Sequence, residues 1–317
     1  MKTKEIILGY LGIRLKNILS KLSDSAFEKI EEIRFRVNRP LIILKGGESF
    51  FIRGDGHFSR NIKQAFIINQ KDLVDTLQMM GEYSLYAFEE EIRNGYITLP
   101  GGHRVGLVGK VVMENGNLKT MRYIGGMNIR ISHEVIGCAN KIIPYIINGK
   151  NIYHTLIISP PKCGKTTLLR DLIRQISNGI SDNFIGLAVG VVDERSEIAG
   201  CYQGIPQNDV GIRTDVLDCC PKVEGMRMLL RSMSPDVIAV DEIGKVEDIY
   251  AIEDVINGGV KLICTVHGSS ILDIQRKPVL KELIQKKIFE RMILLNYKNG
   301  PGSIEDIIDG TTLKSLI

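Results

Sequence analysis

Lys165, Thr166, Asp241 and Glu242 are the residues whose types and spacing could do chemistry together. The first two close the run Ser159-Pro160-Pro161-Lys162-Cys163-Gly164-Lys165-Thr166-Thr167. An apolar segment, Thr155-Leu156-Ile157-Ile158, precedes this run, and residues 168–173 follow it at helical spacing. Strand, tight loop and helix form the context of a phosphate-binding P-loop, where backbone N–H groups and the positive helix end face an anion. Lys165 would reach the β- and γ-phosphates of a bound nucleotide as a point charge, and the Thr166 hydroxyl would ligate Mg²⁺. Two positions depart from the usual loop: the G-x-x-x-x-G-K-[ST] pattern has glycine where this chain has Ser159, and Gly-Pro-Pro-Gly loops have glycine where it has Lys162.

Three further apolar segments end in polar residues. Val237-Ile238-Ala239-Val240 runs into Asp241-Glu242. A buried strand would deliver Asp241 beside the P-loop to hold the Mg²⁺ water shell opposite Thr166, with Glu242 placed to orient or deprotonate an attacking water. Residues 187–192 run into Asp193-Glu194-Arg195. Glu194 is a candidate for positioning water or for the Mg²⁺ shell, with Arg195 as its partner or as a phosphate contact; a surface ion pair is the alternative. Cys264-Thr265-Val266 leads to His267-Gly268, so that Thr265 or His267 would meet the γ-phosphate region. In open α/β sheets, ligand chemistry gathers at the carboxyl edge of the strands, where all these residues would lie.

The elements needed to hold such an edge are legible around it. Strands are expected at 156–159, 187–192, 237–240, 262–266 and 292–295, and helices at 166–177, 223–233, 246–256 and 278–286. Apolar runs alternating with helical stretches predict an α/β domain with a mostly parallel sheet, over residues 138–317. Residues 1–137 predict a small α+β domain. Its expected parts are an amphipathic helix over the first ~20 residues and a second short helix capped by Asp24. Strands follow around Ile33 to Val37 and Leu41 to Leu44 with a Gly46-Gly47 turn, then a helix with Leu73, Val74, Leu77 and Met80 on one stripe. A glycine-punctuated β segment comes next, over 95–112, with a hairpin turn at Glu114-Asn115-Gly116-Asn117. A helix around 139–147 would lead into the second domain.

With 317 residues, 44% hydrophobic and 25% charged, the chain has the composition of an ordinary globular protein. A net charge of +4 is too small to imply nucleic acid or an anionic membrane by itself. No apolar run approaches the ~18 residues of a membrane span. Neither a signal peptide nor paired zinc-ligand cysteines are expected, and the six cysteines suit a reducing, cytoplasmic location. The residues alone support a Mg²⁺-dependent NTPase. A nucleic-acid motor is the first alternative, although Lys and Arg are dispersed and tryptophan is absent. The second is a nucleotide-binding scaffold with little turnover.

The edge motifs, in this order, resemble the secretion ATPase superfamily of type II and type IV secretion and pilus assembly. The run from Arg231 through Ser232-Met233-Ser234-Pro235-Asp236 to Glu242-Ile243 is similar to its Walker B region, Asp193-Glu194 to its Asp box and His267 to its His box. Nearly the whole chain is similar to a sporulation member of that superfamily, through 31–41, 94–106, Ser159-Pro160-Pro161 and Phe289-Glu290-Arg291. The Ser-Pro-Pro opening of the loop is typical of that member. The resemblance implies a RecA-like P-loop NTPase domain behind the N-terminal domain, and a homo-hexameric ring with ATP and Mg²⁺ between protomers. It further implies membrane partners in a channel between mother cell and forespore. Arginines of the N-terminal domain would then reach the nucleotide; among Arg93, Arg104, Arg122 and Arg130, the candidates are Arg104, Arg122 and Arg130.

Overall fold

In the computed structural model, residues 3–81, 95–114, 116–298 and 300–317 are described. Arg93 and Asn115 lie outside them. The chain divides into two units, Met1–His133 and Glu134–Ile317.

In the N-terminal unit, period-two alternation builds a seven-stranded antiparallel sheet. Its strands are β1 (Ile30–Arg36), β2 (Ile42–Lys45), β3 (Glu48–Ile52), β4 (Phe58–Ser59), β5 (Tyr96–Leu99), β6 (His103–Glu114) and β7 (Asn117–Arg130), in the order β4-β3-β2-β1-β7-β6-β5. Ile33, Phe35, Ile43, Val105 and Ile129 are fully buried in one core with residues of the helices α1 (Thr3–Gly9), α2 (Ile13–Leu19), α3 (Asp24–Phe27) and α4 (Gln70–Met80). Gly46 and Gly47 both have positive φ, as a two-residue hairpin turn between paired Lys45 and Glu48 requires.

Three expectations fail here, each for a local reason. The single N-terminal helix is two, α1 and α2, broken at Gly12; a Cβ there would stand 2.8 Å from the Asp75 Cβ, so the chain turns where only glycine packs on α4. The cap of α3 is Ser23, whose hydroxyl accepts from the Ala26 N–H, while Asp24 occupies the first turn. Val74 is 40% exposed, because the buried stripe of α4 runs through Leu73, Thr76 and Met80.

The second unit holds the site. After a short helix α5 (Ile143–Ile146) and a small hairpin, β8 (Ile147–Asn148) and β9 (Asn151–Ile152), come the strands of a seven-stranded sheet. They are β10 (Thr155–Ser159), β11 (Val189–Asp193), β12 (Thr214–Asp218), β13 (Val237–Val240), β14 (Lys261–His267), β15 (Arg291–Asn296) and β16 (Ser303–Asp309), ordered β12-β11-β13-β14-β10-β15-β16. All neighbours pair in parallel except β15 with β16. The helix α6 (Lys165–Asn178) contributes Leu169, Leu172 and Ile173 to the core on one face. On the other face are α7 (Lys222–Ser232), α8 (Val246–Asn257), α9 (Ile271–Gln275) and α10 (Pro278–Gln285), through Met226, Leu229, Ile252, Ile274 and Leu280. Every residue of β10, β11 and β13 is buried, the pattern of strands covered on both faces.

The helix expected around 139–147 is only α5: Pro144 fits the first helical turn, and Ile147 is already extended. The edge strands β12 and β16 were not foreseen. Their sequences, Thr-Asp-Val-Leu-Asp and Ser-Ile-Glu-Asp-Ile-Ile-Asp, carry the acids that edge positions tolerate.

Candidate functional site

Register assembles the site. Strand β10 pairs with the central strand β14 so that Ser159 stands beside His267, and β14 pairs with β13 so that Val240 stands beside Cys264. The last residues of β10, β13 and β14 therefore reach one edge together. The loop that leaves β10 passes through positive φ at Lys162 (62°) and Gly164 (82°), and Gly164 is the N-cap of α6. Left-handed residues alternating with right-handed ones gather backbone N–H groups round an anion. Lys162 thus occupies a position whose backbone favours glycine, which accounts for the glycine of the usual loop. Pro161 and Lys162 are exposed, Pro160 is half-buried, and Ser159 and Cys163 are buried. The Gly302 N–H donates to the Cys163 carbonyl (2.8 Å), bracing the loop from the far side.

Lys165, at the start of α6, is 8% exposed. Its Nζ donates to Glu242 Oε1 (2.7 Å) and lies 3.3 Å from Asp241 Oδ1. Thr166 Oγ1 donates to Asp241 Oδ2 at 2.7 Å. Thr265 Oγ1 donates to Asp241 Oδ1 and accepts the Glu242 N–H (2.9 Å), so one hydroxyl fixes both acids. The Glu242 backbone is left-handed, φ 57°. His267 Nε2 lies 2.7 Å from Glu242 Oε1, and Arg195 NH1 lies 2.9 Å from Glu242 Oε2. Burial pushes the Glu242 carboxyl up, but the hydrogen bond and charge of Lys165, helped by Arg195 and His267, outweigh it and hold the group below its ordinary value.

The Asp193-Glu194-Arg195 turn divides its labour. Asp193, 2% exposed, accepts the N–H groups of Glu197 (2.8 Å), Ile198 (2.9 Å) and Ala199 (2.8 Å). Burial raises its pKa to about 6 against those three bonds, and the neighbouring Asp218 adds to the rise. From α6, Arg170 donates to the carbonyls of Glu197 and Ile198, clamping the same turn. Glu194 pairs with Lys222 Nζ at 2.6 Å. Lys222 went unnoticed in the sequence, where it is one of many lysines; only the start of α7 beside β11 marks it out. Arg195 was expected on Glu194 or on phosphate, and the structure puts it on Glu242.

These contacts converge at one edge of a sheet whose fold matches known relatives. A family model described as "Sporulation stage III, protein AA" matches residues 1–314. The chain belongs to this family. Stage III sporulation protein AA of Bacillus subtilis is 43% identical over 295 residues, covering 93% of this chain and 92% of that one. The fold is similar to the ATPase DotB of Yersinia pseudotuberculosis, with TM-score 0.60, 13% identity and coverage of 91% of this chain and 78% of that chain. It is also similar to the pilus retraction motor PilT with bound ADP, with TM-score 0.55, 16% identity and coverage of 85% and 75%. This member of the stage III AA family therefore has the mixed α/β fold of the secretion ATPases.

In this stage III AA family chain, Thr166 and Asp241 stand 2.7 Å apart beside the loop that leaves β10, and their oxygens are of the hard kind that could hold Mg²⁺. The three candidate arginines belong to the N-terminal unit. Arg104 and Arg130 stand opposite each other on β6 and β7; Arg104 stacks on the Tyr96 ring (3.8 Å to its centroid), and Arg130 lies 3.7 Å from Glu32. Arg122, exposed, stands opposite Lys110. No helix among the described residues is long and apolar enough to cross a membrane.

Proposed function

We propose that this protein is a Mg²⁺-dependent ATPase whose hydrolytic site is the edge formed by Lys165, Thr166, Asp241, Glu242 and His267. The observation that carries it is the convergence of Lys165 and Thr166, from the P-loop helix, with the Asp241-Glu242 pair at 2.7 Å. Lys165 exchanges its carboxylate partners for the phosphates, and Ser159 to Thr167 wrap them. Thr166 and Asp241 would hold Mg²⁺, which would neutralise charge on the bound phosphates. Glu242, released by Lys165, orients water and accepts its proton, while His267 keeps the carboxylate in place. Glu194, paired with Lys222, acts from the second carboxylate turn as a water-positioning group.

Assembly as a homo-hexamer, with sites at a heterologous interface, is part of the proposal, as is coupling to membrane proteins of a sporulation channel. Both rest on family membership and on the fold. In such a ring Arg104, Arg122 and Arg130 supply, across the interface, the positive charge that phosphoryl transfer requires.

The test is phosphate release with Mg-ATP. Lys165→Ala abolishes binding or turnover, and Glu242→Gln binds ATP without hydrolysing it. A chain carrying Arg104→Ala, Arg122→Ala and Arg130→Ala binds without turnover and regains it when mixed with Glu242→Gln chains. Parent-like turnover by Glu242→Gln would remove it from the mechanism. Absence of rescue, in rings containing both chains, would place the arginines outside the site.

A further inference from the structure

We infer that Arg195 is a cis latch on Glu242, a positioning residue that occupies the carboxylate oxygen needed by the attacking water and so restrains basal turnover. The inference rests on the ATP-hydrolysis reading above and goes beyond it in naming a restraint built into the same site.

The partition of Glu242's two oxygens carries the argument. Oε1 is shared by Lys165 and His267, each at 2.7 Å. Oε2 faces Arg195 at 2.9 Å. When phosphate draws Lys165 away, His267 still anchors Oε1, and Oε2 is the oxygen left to accept a proton from water. A guanidinium on that oxygen takes up the lone pair that the attacking water would need, which opposes general-base action. The left-handed backbone at Glu242 limits its escape, since φ 57° in a non-glycine residue persists only where the surroundings hold it.

Arg195 is suited to let go. Its side chain is 63% exposed, against 21% for Glu242. The turn that follows Arg195 is held by the carboxylate of Asp193, which accepts the N–H groups of Glu197, Ile198 and Ala199, and by Arg170 at the carbonyls of Glu197 and Ile198. A held turn carrying an exposed guanidinium is the construction of a catch rather than of a structural ion pair. Among the described residues, the other charges around Glu242 are Lys165 and Asp241, already engaged with each other, and Asp193, Glu197 and the Glu194–Lys222 pair, which line the same cavity.

An exposed pair of this kind is worth at most about a five-fold change in an equilibrium. In steady-state phosphate release by the full chain, Arg195→Ala is therefore expected to raise kcat about two- to five-fold with KM unchanged. Arg195→Lys, which keeps the charge on a shorter reach, falls between the two. A parent silent under these conditions whose Arg195→Ala form turns over supports the latch equally. A rate for Arg195→Ala at or below the parent's overturns it, as does silence in both. Glu242→Gln separates the two failures: if it is dead while Arg195→Ala brings no gain, the latch alone falls, and if it turns over like the parent, the hydrolytic assignment falls as well.

Discussion

Replacing Asp193 tests how the turn carrying Glu194 and Arg195 is held. Its carboxylate receives three backbone N–H groups, one on Oδ1 and two on Oδ2, all within 2.9 Å. Asp193→Ala orphans all three, at about 2 kcal/mol each. Against that loss, the variant no longer buries a charge: the rise of the Asp193 pKa from 3.8 to about 6 corresponds to about 3 kcal/mol of charge-burial cost. The net expectation at pH 8 is a loss of about 3 kcal/mol. Asp193→Asn keeps an oxygen for the Ile198 and Ala199 amides and loses the Glu197 bond, at about 2 kcal/mol, while also removing the buried charge. At pH 8 it should lie within about 1 kcal/mol of the parent.

The sign of the pH dependence follows from the same group. Because its folded pKa is raised, Asp193 costs nothing below about pH 4, where it is protonated in both states, and its cost grows as pH rises to about 6. Urea denaturation of parent and Asp193→Asn from pH 4 to 8 reads this directly. The parent's stability relative to the variant should decline by about 3 kcal/mol across that window and then level off. A difference independent of pH would refute the buried-charge account. Asparagine as damaging as alanine at pH 8 would refute the assignment of the three amides.

Two further perturbations follow from backbone geometry. At Gly310 a Cβ would stand 1.8 Å from the Phe289 carbonyl oxygen, so Gly310→Ala must push apart the chain entering β15 and the chain leaving β16; a loss of about 3 kcal/mol is expected, seen as a Tm lower by roughly 6–12 °C, and an unchanged Tm would show that the close approach does not matter. Lys162→Gly relieves a left-handed lysine while freeing the unfolded chain, so stability should change by less than about 1 kcal/mol. The exposed cation it removes is worth no more than about five-fold in affinity for a fluorescent ATP analogue, and a hundred-fold loss would make Lys162 a principal phosphate ligand instead.

What could be read from the residues alone follows the burial of the sheet. Strands covered on both faces appear as uninterrupted apolar runs, so β10, β11, β13, β14 and β15 were visible along with the polar residues that end them. Asp241, Glu242 and His267 could be assigned to one edge because parallel strands bring their carboxyl ends together whatever the details of packing. The edge strands β12 and β16 were hidden by acids that cost little at a solvated rim. In the N-terminal unit the break at Gly12 was hidden because an apolar periodicity continues through it; what breaks the helix is the approach of α4, more than fifty residues away in sequence.

The same distinction separates the two halves of the site. Which acids stand at the edge is a property of strands, and strands announce themselves. Which cation each acid faces depends on the turn after β11 and the start of α7, where a one-residue change of direction decides the partner. Arg195 follows Glu194 in sequence, yet Arg195 reaches across to Glu242 while Glu194 turns to Lys222. Residue types at a strand end therefore delimit the class of chemistry an edge could support, and Mg²⁺-assisted phosphoryl chemistry is the one proposed for this chain. Which cation meets Glu242 is set by loop geometry, through the three amides and the Arg170 clamp that hold the turn.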